Sequence, residues 1–190
     1  HSGGGLIDVD TAARFPVRLV ESGPAGGAIF AADIAAQHGL GAVLSYDMGG
    51  TTAKVCLIED GSPRTARTFE VARTHRFKKG SGMPISIPAI EMIEIGAGGG
   101  SIATVDVLGQ IRVGPRSAGS EPGPAAYGLG GTQPTVTDAN LVLGRLSADT
   151  FGAPGIDLVD AEARAALTTH VATPLGLNVE TAAVGVTEVV

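Results

Sequence analysis

The sequence has no tryptophan, one cysteine, few aromatic residues and no long apolar run among its 190 residues. The single thiol, Cys56, excludes an internal disulfide framework and favours a reducing, cytoplasmic compartment, where we expect it to be buried and structural. The absence of a membrane-length apolar run and of signal-peptide regions at the N-terminus argues against membrane insertion and secretion. With only 4% aromatic residues, the core must consist mainly of Val, Ile, Leu and Ala.

Positive charge is also scarce, with 13 Lys and Arg against 19 Asp and Glu and a formal net charge of -6. A general nucleic-acid binder needs a basic surface to displace counterions from phosphates, so this class is excluded. Six of the basic residues lie between Arg64 and Lys79. We interpret this basic run first as a solvated loop and second as a contact for an anion or a partner.

Glycine and proline are abundant instead, with 29 and 11 residues that lie between apolar segments without a collagen-like period. This pattern predicts many tight turns. Helices are expected over 23–39, 137–144, 159–171 and 179–190, strands over 42–47, 53–59 and 65–74, a hairpin over 102–113, and loops over 75–88 and 116–134. The stretch 89–95 is compatible with either a short helix or a strand.

The first residue is His1 rather than Met, and the last helical pattern stops at Val190 without a C-terminal cap. We therefore expect an internal fragment of a longer protein. Its predicted organisation is a lead-in over 1–21, a glycine-rich α/β core over 22–150 and a helical segment over 151–190.

Between the first two predicted strands stands Asp47-Met48-Gly49-Gly50-Thr51-Thr52. Two glycines let a backbone approach a phosphate with its N–H groups, and threonine hydroxyls add donors. An aspartate at a strand end can hold a hydrated Mg²⁺ beside phosphates. An ordinary Gly-Gly hairpin with a solvated aspartate explains the turn alone about equally well.

A second glycine block, Gly98-Gly99-Gly100-Ser101, precedes the predicted hairpin. It fails the dinucleotide-binding pattern, because Ser101 occupies the third glycine position and a strand rather than a helix follows. A backbone cradle near nucleotide or substrate and a structural bend both remain open. A phosphate contact by Lys54, and a metal or substrate contact by Glu91, Glu94 or Asp106, are the functional alternatives. We expect instead a solvated strand lysine and three surface acids.

The stretch "DMGGTTAKV" resembles the phosphate-binding hairpin of the actin, sugar-kinase and heat-shock-chaperone ATPase superfamily, which is ribonuclease H-like. Four blocks in the same order resemble the hydantoinase A and 5-oxoprolinase family, which includes a subunit of the ATP-dependent acetone carboxylases. The blocks cover most of the chain and are 22–27, 47–52, 95–103, and 113–119 continuing to 135–140.

The resemblance implies part of a mixed-sheet α/β ATPase domain in an enzyme that opens a cyclic amide with ATP. In that reaction ATP would phosphorylate the amide oxygen of a hydantoin or lactam, so that water can attack the ring. Asp47 would be the catalytic residue and the Mg²⁺ ligand. The implied ATP-binding residues are Gly49, Gly50, Thr51, Thr52, Gly98, Gly99, Gly100 and Ser101. A hydantoinase B-type subunit or domain is the implied partner.

Members of the family carry another phosphate hairpin near the N-terminus and a later glycine-rich nucleotide segment, and this sequence contains neither. We therefore expect residues 1–190 alone to be catalytically inert. The alternatives are a subunit of an ATP-dependent ketone carboxylase, a sugar-kinase-like phosphotransferase, and a non-catalytic assembly module. The sequence does not choose between hydantoin, 5-oxoproline, another lactam and a ketone as the substrate.

Overall fold

A computed structural model describes residues 1–72, 74, 80–151 and 155–190. The chain forms two compact units, His1–Asp47 with Lys54–Glu94 and Met48–Ala53 with Ile95–Val190. Among the described residues, no helix combines the length and the apolar character needed to cross a bilayer. The three-segment organisation expected from the sequence stays a prediction.

The first unit combines two helices with short strands. Its helices are α1 (Val9–Arg14) and α2 (Ser22–Gln37), with a 3-10 turn at Pro16–Leu19 between them. Its strands, some of which reach one residue into the second unit, are β1 (Ala42–Met48), β2 (Ala53–Glu59), β3 (Ser62–Pro63), β4 (Thr65–Ala66), β5 (Phe69–Val71), β6 (Met83–Ile85), β7 (Ala89–Ile90) and β8 (Ile93–Ile95). The largest sheet has the order β1-β2-β3 with β8 also paired to β2, while β4 pairs with β7 and β5 with β6.

Helix α2 confirms the predicted helix and its glycine stop. Gly39 adopts a φ of 66°, and the amides of Gly39 and Leu40 donate to Ala36 and Ala35 carbonyls at 3.2 and 2.9 Å. This is the hydrogen-bonding pattern of a Schellman C-cap, which satisfies carbonyls that the helix leaves unpaired. The helix buries its alanines against Cys56, Ile58 and Ile90, which confirms the expected burial of the thiol.

Three predictions in this unit need correction. Strand β1 is not buried, because it lies at the sheet edge and leaves Leu44 62% and Tyr46 55% exposed. The predicted strand over 65–74 is divided into β4 and β5. Met83–Ile85, predicted as loop, is strand β6, where Pro84 is tolerated in a two-stranded ribbon that leaves one edge unpaired.

The region 89–95, left open from sequence, forms the strands β7 and β8. Within the basic run, Arg64 forms an exposed ion pair with Glu59 at 2.7 Å. Residues 73 and 75–79, and with them most of the basic charges of that run, lie outside the described part of the chain.

The second unit places a hairpin against a helical layer. Its elements are β9 (Ser101–Val105), β10 (Ile111–Ser117), α3 (Val136–Val142), α4 (Asp160–Leu167), a π-helical turn at Thr168–Ala172, α5 (Thr173–Leu175), α6 (Val179–Glu188), and 3-10 turns at Ala125–Tyr127 and Ala148–Thr150. The antiparallel β9–β10 pair confirms the predicted hairpin. Val136, Leu167, Val171 and Val186 are fully buried in its core, where small alanines let the helices approach closely.

The chemistry of its local turns explains several elements of this unit. Asp106 accepts from the amides of Leu108 and Gln110 at 2.9 and 3.0 Å, and Gly109 has a φ of 71°, so the residues after β9 close the hairpin turn. The predicted helices near 137, 159 and 179 are confirmed, each with a shifted boundary. The predicted loop over 116–134 is confirmed apart from its short 3-10 turn and the end of β10.

Candidate functional site

The turn between β1 and β2 exposes hydrogen-bond donors. The Gly49 amide donates to the Thr52 carbonyl at 3.0 Å and closes the turn, while Gly49, Gly50 and Thr51 are exposed. The amides of Gly50 and Thr51 donate to no acceptor within the described part of the chain. The turn therefore has two backbone donors and the exposed Thr51 residue available for an anion such as a phosphate.

The second glycine block lies directly against this turn, through backbone contacts. The Gly99 amide donates to the Gly49 carbonyl at 2.9 Å, and the Gly100 amide donates to the Gly50 carbonyl at 2.7 Å. A Cβ on Gly98 would lie 2.6 Å from the backbone of Thr51. Since real Cβ atoms do not approach backbone this closely, only glycine fits at this position.

Ser101 forms hydrogen bonds within the second glycine block. Its Oγ accepts from the Gly98 amide at 2.9 Å, and its own amide donates to the Gly98 carbonyl at 3.0 Å. Every amide from Gly98 to Ser101 therefore donates inside the protein. This geometry matches the structural-bend interpretation of the block.

The structure thus brings the predicted nucleotide-binding residues together, but the amides of the two segments differ in their hydrogen-bond partners. The Gly50 and Thr51 amides have no acceptor in the described part of the chain, whereas the amides of Gly99 and Gly100 donate to the carbonyls of this turn. A direct phosphate contact by the second block stays a prediction.

Asp47 belongs to the first unit, near the end of β1, and its side chain is partly buried. A Cβ on Gly27 of α2 would lie 3.8 Å from its Oδ2, so the helix passes close to the carboxylate. No group of three or more His, Cys, Asp or Glu side chains suited to a metal occurs in the described ranges. A single carboxylate fits a cation that keeps most of its water ligands, as Mg²⁺ does, and the metal role of Asp47 stays a prediction.

Lys54 is not the solvated lysine expected from the sequence. Its ammonium pairs with Glu21 at 3.2 Å and with Glu94 at 3.4 Å, and its side chain is 16% exposed. Burial lowers the pKa of Lys54, but the hydrogen bond to Glu21 and the charges of both carboxylates outweigh burial and raise the pKa. The position of Lys54 on a strand was predicted correctly. Its two partners, Glu21 and Glu94, lie far from Lys54 in the sequence and were not predicted.

Of the three acids expected at the surface near the block, Glu91 is exposed as expected, and the other two form ion pairs. Glu94 is exposed and pairs with Lys54. Asp106 holds the hairpin turn and pairs with Arg112 at 2.9 Å; the Gln110 amide and then Arg112 lower the pKa of its carboxyl.

The sequence reasoning missed Asp138 as a residue of this region. Its Oδ1 accepts from the Ala126 amide at 2.7 Å, and its Oδ2 accepts from the Thr135 amide and hydroxyl at 2.6 and 2.8 Å. Burial raises the pKa of Asp138, against the effect of these hydrogen bonds. The Thr-x-x-Asp spacing of a capping box was the available signal, and it places the helix start at Val136 rather than at Thr137.

The chain is similar to a known protein family and to a caprolactamase subunit. The model of the Hydantoinase/oxoprolinase family matches residues 1–190. The caprolactamase subunit alpha of Pseudomonas jessenii is 39% identical over 186 residues, which cover 98% of this chain and 25% of that relative.

Two solved structures resemble the chain as a whole. The nucleotide-free structure from a study of ATP-dependent acetone carboxylation has a TM-score of 0.70 and 32% identity, covering 98% of this chain and 25% of that one. The crystal structure of ATP-dependent caprolactamase from Pseudomonas jessenii has a TM-score of 0.69 and 40% identity, covering 89% of this chain and 23% of that one.

These structures confirm the predicted α/β class, with the chain as part of a larger protein. The chain spans 25% of the length of the caprolactamase subunit. The match along the whole sequence, together with the identity to that subunit, settles the predicted resemblance. The chain belongs to the hydantoinase/oxoprolinase family.

Proposed function

We propose that the full-length protein carrying this chain opens a cyclic amide in an ATP-dependent reaction, and that this chain contributes a phosphate-binding hairpin. The observation that carries the proposal is the turn at Gly50 and Thr51, two exposed residues whose amides have no acceptor in the described structure. Family membership and the identity to a caprolactamase subunit support a lactam-type substrate.

The residues of the chain have separate roles in this proposal. The Gly50 and Thr51 amides donate to phosphate oxygens, and the hydroxyls of Thr51 and Thr52 supply further donors. Asp47, two residues before Gly49 in the chain, holds Mg²⁺ through its carboxylate. Gly98 to Ser101 keep the turn in the donating conformation.

ATP supplies a phosphoryl group for the amide oxygen of the ring, which makes the carbonyl carbon open to attack by water. Fixed donors on the phosphates favour this transfer because they neutralise developing charge without having to reorganise. A hydantoinase B-type subunit as partner and a cytoplasmic location belong to the same proposal. The caprolactamase and acetone carboxylase relatives carry subunit names, which supports a multi-subunit assembly.

The test uses the full-length protein with its partner subunit, MgATP, and a panel of hydantoin, 5-oxoproline and caprolactam. We expect phosphate release and the ring-opened product to appear together with one of these substrates. A Gly41→Ala variant is the control for substitutions of the hairpin residues, because a Cβ at Gly41 meets no atom within 4 Å. Ring opening without ATP consumption would exclude the proposed reaction, as would a stable sugar phosphate formed when a sugar replaces the lactam panel.

Ketone carboxylation is the second candidate, supported by the acetone carboxylase likeness at 32% identity. The same protein is incubated with acetone or acetophenone, bicarbonate and MgATP. A carboxylated ketone, with no ring opening in the lactam panel, would favour this candidate. Unchanged activity after substitution of the hairpin residues would instead favour an assembly module.

A further inference from the structure

Gly99 connects the first turn of α3 to the phosphate hairpin through backbone hydrogen bonds. The Thr137 amide donates to the Gly99 carbonyl at 2.8 Å, and the Gly99 amide donates to the Gly49 carbonyl at 2.9 Å. The Gly99 peptide therefore lies between helix and turn, hydrogen-bonded on both sides. Through these two bonds Gly99 contacts both the first turn of α3 and the turn that carries the Gly50 and Thr51 amides.

Side-chain packing adds to this connection. A Cβ on Gly99 would lie 2.7 Å from the Thr137 Oγ1, whereas its next neighbour, the Gly49 carbonyl oxygen, would lie at 3.7 Å, an ordinary contact. Thr137 is 6% exposed, so its side chain has little room to turn away. The capping box of Thr135 and Asp138 further fixes the backbone of this first turn.

We propose that Thr137 is a positioning residue for the phosphate hairpin and acts through Gly99, an inference that rests on the proposed nucleotide role of that hairpin. Thr137 itself makes no contact with the phosphate in this proposal. It sets the position of the Gly99 peptide, and the Gly99 amide sets the position of the Gly49 carbonyl in the turn.

The neighbouring glycine provides a matched comparison. A Cβ on Gly100 would lie 2.8 Å from the Ser117 Oγ and 2.9 Å from the Gly50 carbonyl oxygen. The clash at Gly99 is therefore with a side-chain atom, which a second substitution removes. The clash at Gly100 includes hairpin backbone, which no substitution removes. Neither glycine has a positive φ, so alanine is strained at either position only by these contacts.

The experiment compares two sets of variants of the full-length protein. The first set is Gly99→Ala, Thr137→Ala and the double variant of both. The second set is Gly100→Ala, Ser117→Ala and the double variant of both. MgATP affinity is measured by calorimetry, and hydrogen exchange of residues 48–53 is measured without nucleotide. Gly99→Ala should bind MgATP about tenfold more weakly, the loss of roughly one hydrogen bond to a charged group, and should exchange faster over 48–53.

The Gly99→Ala/Thr137→Ala double variant should have the MgATP affinity and the hydrogen exchange over 48–53 of Thr137→Ala alone. The Gly100→Ala/Ser117→Ala double variant should stay as defective as Gly100→Ala. No recovery in the first pair, or no defect in Gly99→Ala, overturns the inference. If the wild-type protein binds no MgATP, the proposed function fails, and hydrogen exchange still decides whether Thr137 positions the turn.

A second comparison covers the case in which Gly99→Ala does not fold. Thr137→Val places a methyl group, which is larger than a hydroxyl, beside Gly99, whereas Thr137→Ser keeps the hydroxyl. The valine variant should exchange faster over 48–53 and bind MgATP more weakly than the serine variant. Equal exchange in the two variants contradicts a positioning role for Thr137.

Discussion

Gly98 shows at the scale of one residue how closely the second glycine block approaches the hairpin. A Cβ there would lie 2.6 Å from the Thr51 carbonyl carbon and from the Thr52 amide nitrogen. Because both atoms are backbone, Gly98→Ala must move the turn. We expect a loss of about 1–3 kcal/mol in the free energy of unfolding, measured by chemical denaturation.

Gly41→Ala is the matched control for this prediction, since its Cβ meets nothing within 4 Å and its φ is not positive. It should unfold at nearly the same denaturant concentration as the wild-type protein. Equal stability of the Gly98 and Gly41 variants would show that the turn has room that the structure does not display.

Asp138 gives a pH-dependent prediction. Burial raises the pKa of its carboxyl, so the folded protein holds this proton more tightly than the unfolded chain does. The stabilisation is complete below the ordinary carboxyl pKa and is lost as pH rises through the raised pKa. The stability difference between wild type and Asp138→Asn should therefore be larger at acidic pH than at neutral pH, as measured by urea denaturation at several pH values.

The asparagine of Asp138→Asn is nearly isosteric with aspartate, but its NH₂ group cannot accept a hydrogen bond. The variant therefore loses at least one of the hydrogen bonds from Ala126 and Thr135 at any pH. A stability difference that grows with pH would show that these donors favour the carboxylate more strongly than burial disfavours it.

At the scale of elements, the start of α3 depends on its cap. The Thr135 hydroxyl accepts from the Asp138 amide at 3.4 Å and donates to the Asp138 carboxylate at 2.8 Å. Thr135→Ala removes both interactions and should lower the free energy of unfolding by about 1–2 kcal/mol. Thr135→Ser keeps the hydroxyl and should retain most of this stability in chemical denaturation. A serine variant as unstable as the alanine variant would assign the effect to the lost methyl group instead.

Elements with local signals were predictable from sequence, and elements made by distant partners were not. Gly39 ends α2 and Gly109 lies in the β9–β10 turn, each through its own backbone conformation. Strand β6 forms only because Phe69–Val71 pairs with it, which the glycine- and proline-rich composition does not indicate. The exposure of β1 likewise depends on its place at the sheet edge.

The same distinction applies to the candidate site. The residues from Gly49 to Thr52 were recognisable because a strand, a tight turn and a second strand follow each other in the sequence. That the Gly99 and Gly100 amides donate to this turn was not predictable, since nearly fifty residues separate the two blocks. Asp138 was missed because its burial depends on the loop that contains Ala126.

At the scale of the whole molecule, the chain has 25% of the length of the caprolactamase subunit that it resembles. We predict that residues 1–190 alone do not couple ATP turnover to ring opening, because a second phosphate hairpin is absent from this sequence. Phosphate release and lactam opening by the isolated chain, assayed together after its folding is verified by circular dichroism, test this prediction. Coupled turnover by the isolated chain would contradict it.

The central claim is that the hairpin between β1 and β2 binds MgATP, with Asp47 holding the Mg²⁺ beside the phosphates that the Gly50 and Thr51 amides contact. The most direct measurement is the dissociation constant of MgATP for the full-length wild-type protein and for Asp47→Asn, which keeps the side-chain shape and removes its charge. We predict saturable binding to the wild type and binding of MgATP at least about tenfold weaker in the variant. ATP without Mg²⁺ should bind the variant no more weakly than the wild type, because the substitution removes a negative charge that repels the phosphates. Equal MgATP affinity of the two proteins would contradict the claim.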